Sequence, residues 1–305
     1  MSLLHFNGSI KRISKQRIMS ILGHSRQIEY LDKVLKRGRI SHAYFFYGPA
    51  HVGKFTVAKL FAQKLGSIDP IILDTKHTLV SKKDQRKDIP IEDIRELKRR
   101  LSLASTKDEW RVSIINEAEN LSEEATNSFL KLLEEPGENT LFLLISESPE
   151  LLPPTIVSRC HPIRFSLVPD NLMEPHLKNR IKDELVRKEI LLLAAGRPGV
   201  AFELAEDKDL FEKEQKFRKM FSAALSGEAH DIFSFTGKIY GDAGLRRKSA
   251  EYLIGHLREK MLGNVSREED FVNRIKKVHE IYTVLETTNV NPRLALDVMF
   301  LEGRS

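Results

Sequence analysis

The sequence predicts an α/β fold: a parallel sheet carrying a phosphate-binding loop (P-loop), then a small helical lid, then an all-α domain. Three observations predict it. Five short apolar runs, at residues 43–47, 71–73, 112–115, 141–145 and 163–165, alternate with helical patterns. That alternation is the signature of a parallel sheet covered on both faces. The first run leads into a glycine loop and then a helix, the context a phosphate cradle requires. Beyond about Pro169 no strong strand signal recurs and helical periodicity takes over.

The elements follow in chain order. Residues 1–20 carry Lys11, Arg12, Lys15 and Arg17 and no acid, and they lack the apolar core of a secretory signal. They read as a basic arm. The helix after the glycine loop is expected to pack through Val57, Leu60, Phe61 and Leu65. After the third run, Asn120 is expected to cap a helix, with Glu123 three residues on as in a capping box. Ala125, Phe129, Leu132 and Leu133 form the apolar stripe of that helix, and Pro136 and Gly137 stop it. The expected domains are the arm at 1–20, the α/β module at 21–168, a helical lid at 169–207 and a helical domain at 208–305.

The glycine loop reads Gly48, Pro49, Ala50, His51, Val52, Gly53, Lys54, Phe55. Gly48 and Gly53 let the backbone turn and approach a ligand, its N–H groups face phosphate oxygens, and Lys54 supplies a point charge. The next position normally holds Ser or Thr, whose hydroxyl binds the nucleotide's Mg²⁺. Here it is Phe55. Thr56 is no substitute, because one residue further lies about 100° around the helix. The second Mg²⁺ contact is normally an Asp ending the third strand. Asn116 stands there, with a neutral oxygen that is a poor ligand for a hard cation. Glu117, at the position of a water-activating base, is retained. Two contacts to one ion are lost together, so weak or absent Mg-nucleotide hydrolysis is expected.

After the fourth run come Ser146, Glu147, Ser148 and Pro149, then Leu152, Pro153, Pro154, Thr155, Ile156, Val157, Ser158, Arg159 and Cys160. The Ser-Arg-Cys box, the altered phosphate loop and the run Asn116, Glu117, Ala118, Glu119 together resemble the AAA+ subunits of sliding-clamp loaders. The resemblance is strongest to the delta-prime branch of bacterial DNA polymerase III. Gly23 and His24, His42 to Tyr44, Ile94 to Leu97, and Asn291 to Leu296 extend it over nearly the whole chain. Read alone, Arg159 is a surface arginine pairing a local carboxylate. The resemblance implies instead an arginine finger acting in trans on a neighbour's nucleotide. It also implies a non-hydrolysing stator and a C-terminal collar that joins the ring. The implied partners are a gamma/tau-like ATPase, a delta-like wrench, the sliding clamp indirectly, and primer-template DNA without sequence specificity. No cofactor is required; ATP, ADP or phosphate binding at Gly53 and Lys54 is left open. The chain departs from the family in two places. No cysteine lies between residues 66 and 90, so the four-cysteine zinc module of many relatives is excluded by ligand count. In the lid, Gly199 stands near the place of a nucleotide-sensing arginine, with Arg197 two residues earlier.

Residues 82–107 hold nine Lys/Arg and five Asp/Glu, a balance of +4. Ile91, Ile94, Leu97, Leu101 and Leu103 give that helix an apolar side, while Arg95, Lys98, Arg99 and Arg100 project elsewhere as candidate DNA phosphate contacts. The net charge of +6 leans toward anionic partners. No apolar run approaches the ~18 residues of a membrane span. One cysteine, Cys160, excludes an internal disulfide and fits a cytoplasmic location. Two other readings stay open: an active loader ATPase of gamma/tau or replication-factor-C type, and a non-catalytic AAA+ interaction protein in DNA repair.

Overall fold

The computed structural model describes residues 21–67, 69–77, 79–80, 88–102, 109–263 and 267–304. The expected basic arm at 1–20 lies outside them, as do Leu103 and much of the basic stretch. The chain divides into two compact units, Met1–Glu206 and Asp207–Ser305.

The first unit is built on five parallel strands, β1 (Ala43–Tyr47), β2 (Ile71–Leu73), β3 (Arg111–Ile115), β4 (Thr140–Ser146) and β5 (His161–Arg164), in the order β2-β3-β4-β1-β5. Alternate residues of the central strands enter two different cores, as the two-residue repeat of a strand dictates. Ala43, Phe45, Phe142 and Leu144 face helices α3 (Ile91–Ser102) and α4 (Glu123–Glu134) through Ile94, Leu97 and Phe129. Tyr44, Phe46, Leu141, Leu143 and Ile145 face α1 (Ser25–Arg37) and α2 (Lys54–Lys64) through Leu31, Val57 and Phe61. All seven residues of β4 are buried, which is why that run is apolar without polar alternation. Burying one side chain the size of Phe129 stabilises the fold by about 1.5–3 kcal/mol.

The fifth strand begins two residues earlier than the apolar run, because His161 pairs with Tyr44 and carries the ladder back to the Ser-Arg-Cys box. The expected cap is also corrected. The helix starts at Glu123 and is capped by Ser122, whose hydroxyl oxygen accepts from the Ala125 N–H. Asn120 ends a 3₁₀ turn, and its carbonyl accepts from the Ile89 N–H, while the Ser122 N–H donates to the Ile89 carbonyl. That tie to a distant segment commits Asn120 before any helix can use it.

A short helix, α5 (Pro154–Val157), precedes β5. Three helices follow, α6 (Asp170–Lys178), α7 (Glu184–Ala194) and α8 (Pro198–Glu206). Asp183 caps α7 by accepting from Leu185 and Val186, and the buried Arg187 guanidinium donates to the carbonyls of Ile181 and Lys182.

The second unit holds α9 (Lys208–Ser226), α10 (Ala229–Ile239), α11 (Ala243–Gly263), α12 (Glu268–Thr287) and α13 (Pro292–Arg304). Its core is an aromatic cluster of Phe217, Phe221, Phe235 and Phe300 with Leu253, Leu257 and Val278. Edge-to-face pairs such as Phe221–Phe300, with centroids 5.6 Å apart, suit the ring quadrupoles. On α13, Leu296, Met299, Phe300 and Gly303 are buried, while Leu294, Val298 and Leu301 line the exposed side.

Candidate nucleotide cradle and the arginine at the opposite edge

β1 lies between β4 and β5, while the chain runs from β1 out to β2 at the far edge of the sheet. The crevice at the C-terminal end of β1 is therefore a switch point, the usual ligand position in open α/β sheets. The glycine loop leaves β1 there. Gly48 has φ 136°, and a Cβ on it would lie 2.1 Å from the Phe165 carbonyl oxygen, so only glycine lets the loop cross β5 this closely. The Gly48 N–H donates to the Glu147 carbonyl, Gly53 has φ 107°, and α2 starts at Lys54. His24 braces the loop from below: its Nε2 bonds the Val52 carbonyl at 3.0 Å and its ring meets Phe165 edge-on. Burial holds the His24 pKa below its ordinary value.

Lys54 turns back into its own cradle. Its Nζ donates to the Gly48 carbonyl at 2.6 Å and the Pro49 carbonyl at 2.7 Å, and the residue is only 6% exposed. Burial pulls the amine down to about 8, against the upward pull of Glu147 and then Glu119. Neither acid was foreseen at this position from sequence. Glu119 is mostly enclosed, with a buried Oε2 that has no hydrogen-bond partner, and burial raises its pKa. A carboxylate in a phosphate site has no periodicity to announce it; only the sheet register, which pairs Tyr47 with Ser146, brings Glu147 to the loop.

Phe55 offers no oxygen; its ring sits under the Lys59 ammonium, 4.5 Å from the centroid. Thr56 is exposed, facing away from the cradle-side core. Asn116 follows β3, with its N–H on the Leu73 carbonyl. Glu117 adopts a left-handed conformation, φ 55°. Its Oε2 accepts from the Thr75 hydroxyl at 3.0 Å and from Asn120 Nδ2 at 3.4 Å. Thr75 is presented by the turn after β2, where Asp74 accepts from the backbones of Lys76 and His77 and from the His77 ring.

Helix α8 touches the loop directly. The Gly199 N–H donates to the His51 carbonyl at 2.9 Å. A Cβ at Gly199 would stand 3.0 Å from that oxygen and 3.1 Å from the His51 Cβ. Arg197 is half-buried at the head of α8, where its carbonyl accepts from the Ala201 N–H.

Arg159 lies elsewhere. It follows α5 and precedes β5, at the N-terminal edge of the sheet, whereas the cradle occupies the C-terminal edge. A four- or five-residue strand separates the two edges by about 15 Å. Arg159 donates to the Glu134 carboxylate at 2.7 Å and to the Thr155 carbonyl at 3.0 Å, with its side chain 36% exposed. Beside it, burial pushes the Cys160 thiol up to about 12. Of the basic helix residues, Arg95, Lys98, Arg99 and Arg100 are all exposed on α3. Arg99 and Arg100 both bond Glu96 and hold its carboxyl down to about 2, so part of their charge is already matched.

Residues 23–169, nearly the whole α/β module, match the family described as DNA polymerase III, delta subunit. The chain is 27% identical over 187 residues to DNA polymerase III subunit tau of Bacillus subtilis (strain 168), covering 57% of this chain and 33% of that one. It is 30% identical over 190 residues to the gamma/tau subunit of Mycobacterium tuberculosis (strain ATCC 25618 / H37Rv), covering 54% and 31%. Its α/β module is thus similar in sequence to DNA polymerase III subunits. The chain spans about a third of the length of these relatives. A solved gamma-subunit-related protein from Thermotoga maritima aligns over 91% of this chain and 98% of its own, at 19% identity and TM-score 0.48.

Among the described residues, no cluster of three His, Cys, Asp or Glu is arranged to hold a metal ion, and no helix is long and apolar enough to cross a membrane.

Proposed function

We propose that this chain is a delta-prime-like clamp-loader subunit that hydrolyses no nucleotide itself and supplies Arg159 to a nucleotide held by a neighbouring subunit. The placement of Arg159 supports this most directly. An arginine at the opposite edge of the sheet from its own cradle can serve phosphate chemistry only on another chain. Its hold on Glu134 is half-exposed, so a phosphate approaching from outside can compete for it. A guanidinium delivered in this way stabilises charge on a transferring phosphoryl group.

The donor set of the cradle supports a silent site. Phe55 and Asn116 give Mg²⁺ neither hydroxyl nor carboxylate, and Lys54 is spent on the loop's own carbonyls. The residues present do not fit the metal. In this reading the lid spans 169–207 and the helices from 208 onward form the collar that joins the ring. Gamma/tau-like and delta-like subunits are the partners, and Arg95 and Lys98 are better placed than Arg99 and Arg100 for DNA phosphates.

A second reading, an active gamma/tau-type ATPase, is favoured by the gamma/tau relatives and by the retained Gly53, Lys54 and Glu117. Two measurements separate them. MgATP turnover by the purified chain alone would establish the second reading. Reconstitution of the loader with Arg159→Ala tests the first; unchanged DNA-stimulated ATPase and clamp loading would remove the finger.

A further inference from the structure

The charges that surround the phosphate loop all belong to this chain. Lys54 is nine-tenths buried and bonded to the Gly48 and Pro49 carbonyls. Two carboxylates act on it, Glu147 and Glu119. Glu147 is fixed at the rim because its own carbonyl accepts from the Gly48 N–H, and β1–β4 register places Ser146 beside Tyr47. Glu119 follows the left-handed Glu117 in a 3₁₀ turn, and its buried Oε2 has no hydrogen-bond partner. Glu117 also acts on Glu119, and His24, which feels the Lys54 charge, has its pKa lowered chiefly by burial. A phosphate entering the cradle would approach Lys54 past two acids in a partly dehydrated site, where like charges repel more strongly than in water.

We propose that Glu119 and Glu147 keep phosphate-bearing ligands out of the cradle, supplying from within the chain the negative charge that Lys54 would otherwise take from a nucleotide. Loss of Mg²⁺ ligands alone removes hydrolysis; it leaves a lysine and a ring of N–H groups able to hold phosphate. The two acids remove that residual affinity. The inference rests on the silent-site reading and makes it specific: the cradle is occupied by its own side chains, and the occupant can be removed.

The test is titration calorimetry of the full chain at pH 7 with pyrophosphate and with ADP, both without metal. Wild type, Glu119→Gln/Glu147→Gln, and the same pair with Lys54→Met are compared. The double variant is expected to bind both ligands at least tenfold more tightly than wild type, and Lys54→Met is expected to abolish the gain. A folded double variant that binds within twofold of wild type overturns the proposal, as does a gain that survives Lys54→Met. Should the double variant not fold, the single variants are read in the same way, each expected to gain about threefold, and neither moving overturns it. If wild type turns over MgATP, the silent-site reading fails by itself, while the variant-to-wild-type ratio still decides the role of the two acids.

Discussion

Lys54 and Arg159 are two cations on one parallel sheet, and they end in opposite situations. Lys54 sits at the C-terminal edge, 6% exposed, bonded to its own loop and flanked by Glu119 and Glu147. Arg159 sits at the N-terminal edge, with a side chain 36% exposed and one exchangeable carboxylate partner. One charge is consumed inside the chain and the other is presented outward. The difference shows that position on one sheet decides whether a cation is met by its own chain or left open to a partner.

The largest expected effect tests the outward cation. In a reconstituted loader, Arg159→Ala should lower DNA-stimulated ATP turnover at least about 100-fold, in keeping with arginine fingers generally. Its thermal unfolding midpoint should not move, and turnover within twofold of wild type would erase the contrast.

The inward cation is tested through stability. A buried lysine lacking a full counter-ion bond is a cost, so Lys54→Met should stabilise the isolated chain by about 2 kcal/mol at pH 7 in urea unfolding. The sign with pH follows from the lowered value of about 8 against the ordinary 10.5. Between those limits the unfolded chain binds more protons, so the cost is complete below about 8 and fades toward 10.5. The advantage of the Met variant should therefore shrink when the midpoints are compared at pH 7.5 and pH 10. A constant difference would mean that Lys54 is not buried as described.

The seam between α8 and the glycine loop gives a smaller effect. Gly199→Ala forces a methyl to 3.0 Å from the His51 oxygen and should cost about 1 kcal/mol. Amide exchange across residues 198–206 should quicken, and unchanged exchange would show that α8 does not depend on the loop. The smallest effect belongs to the arginine's resting partner. Glu134→Gln removes a half-exposed ion pair and should change stability by no more than about 0.5 kcal/mol. A larger loss would make Arg159 a structural residue.

Much of the fold was legible because its strands are short, apolar and flanked by helices; β1 and β2 match the apolar runs end for end. The glycine loop was legible because Gly48 answers a steric demand that no other residue meets. What escaped notice was set by contacts distant in sequence. Asn120 and Ser122 are both good cap residues, and only the tie to Ile89 decides between them. Glu119 and Glu147 look like ordinary surface acids until β3 and β4 deliver them to one lysine. Arg159 was visible as a motif, but its isolation from the cradle required the strand order.

Cys160 carries a practical consequence. It is the chain's single cysteine, 7% exposed, with burial pushing the thiol up to about 12. Near neutral pH it presents almost no thiolate to a maleimide or an oxidant. A second cysteine introduced on the surface would therefore be labelled alone, and a fluorophore beside Arg159 could report docking without first altering the native sequence at position 160.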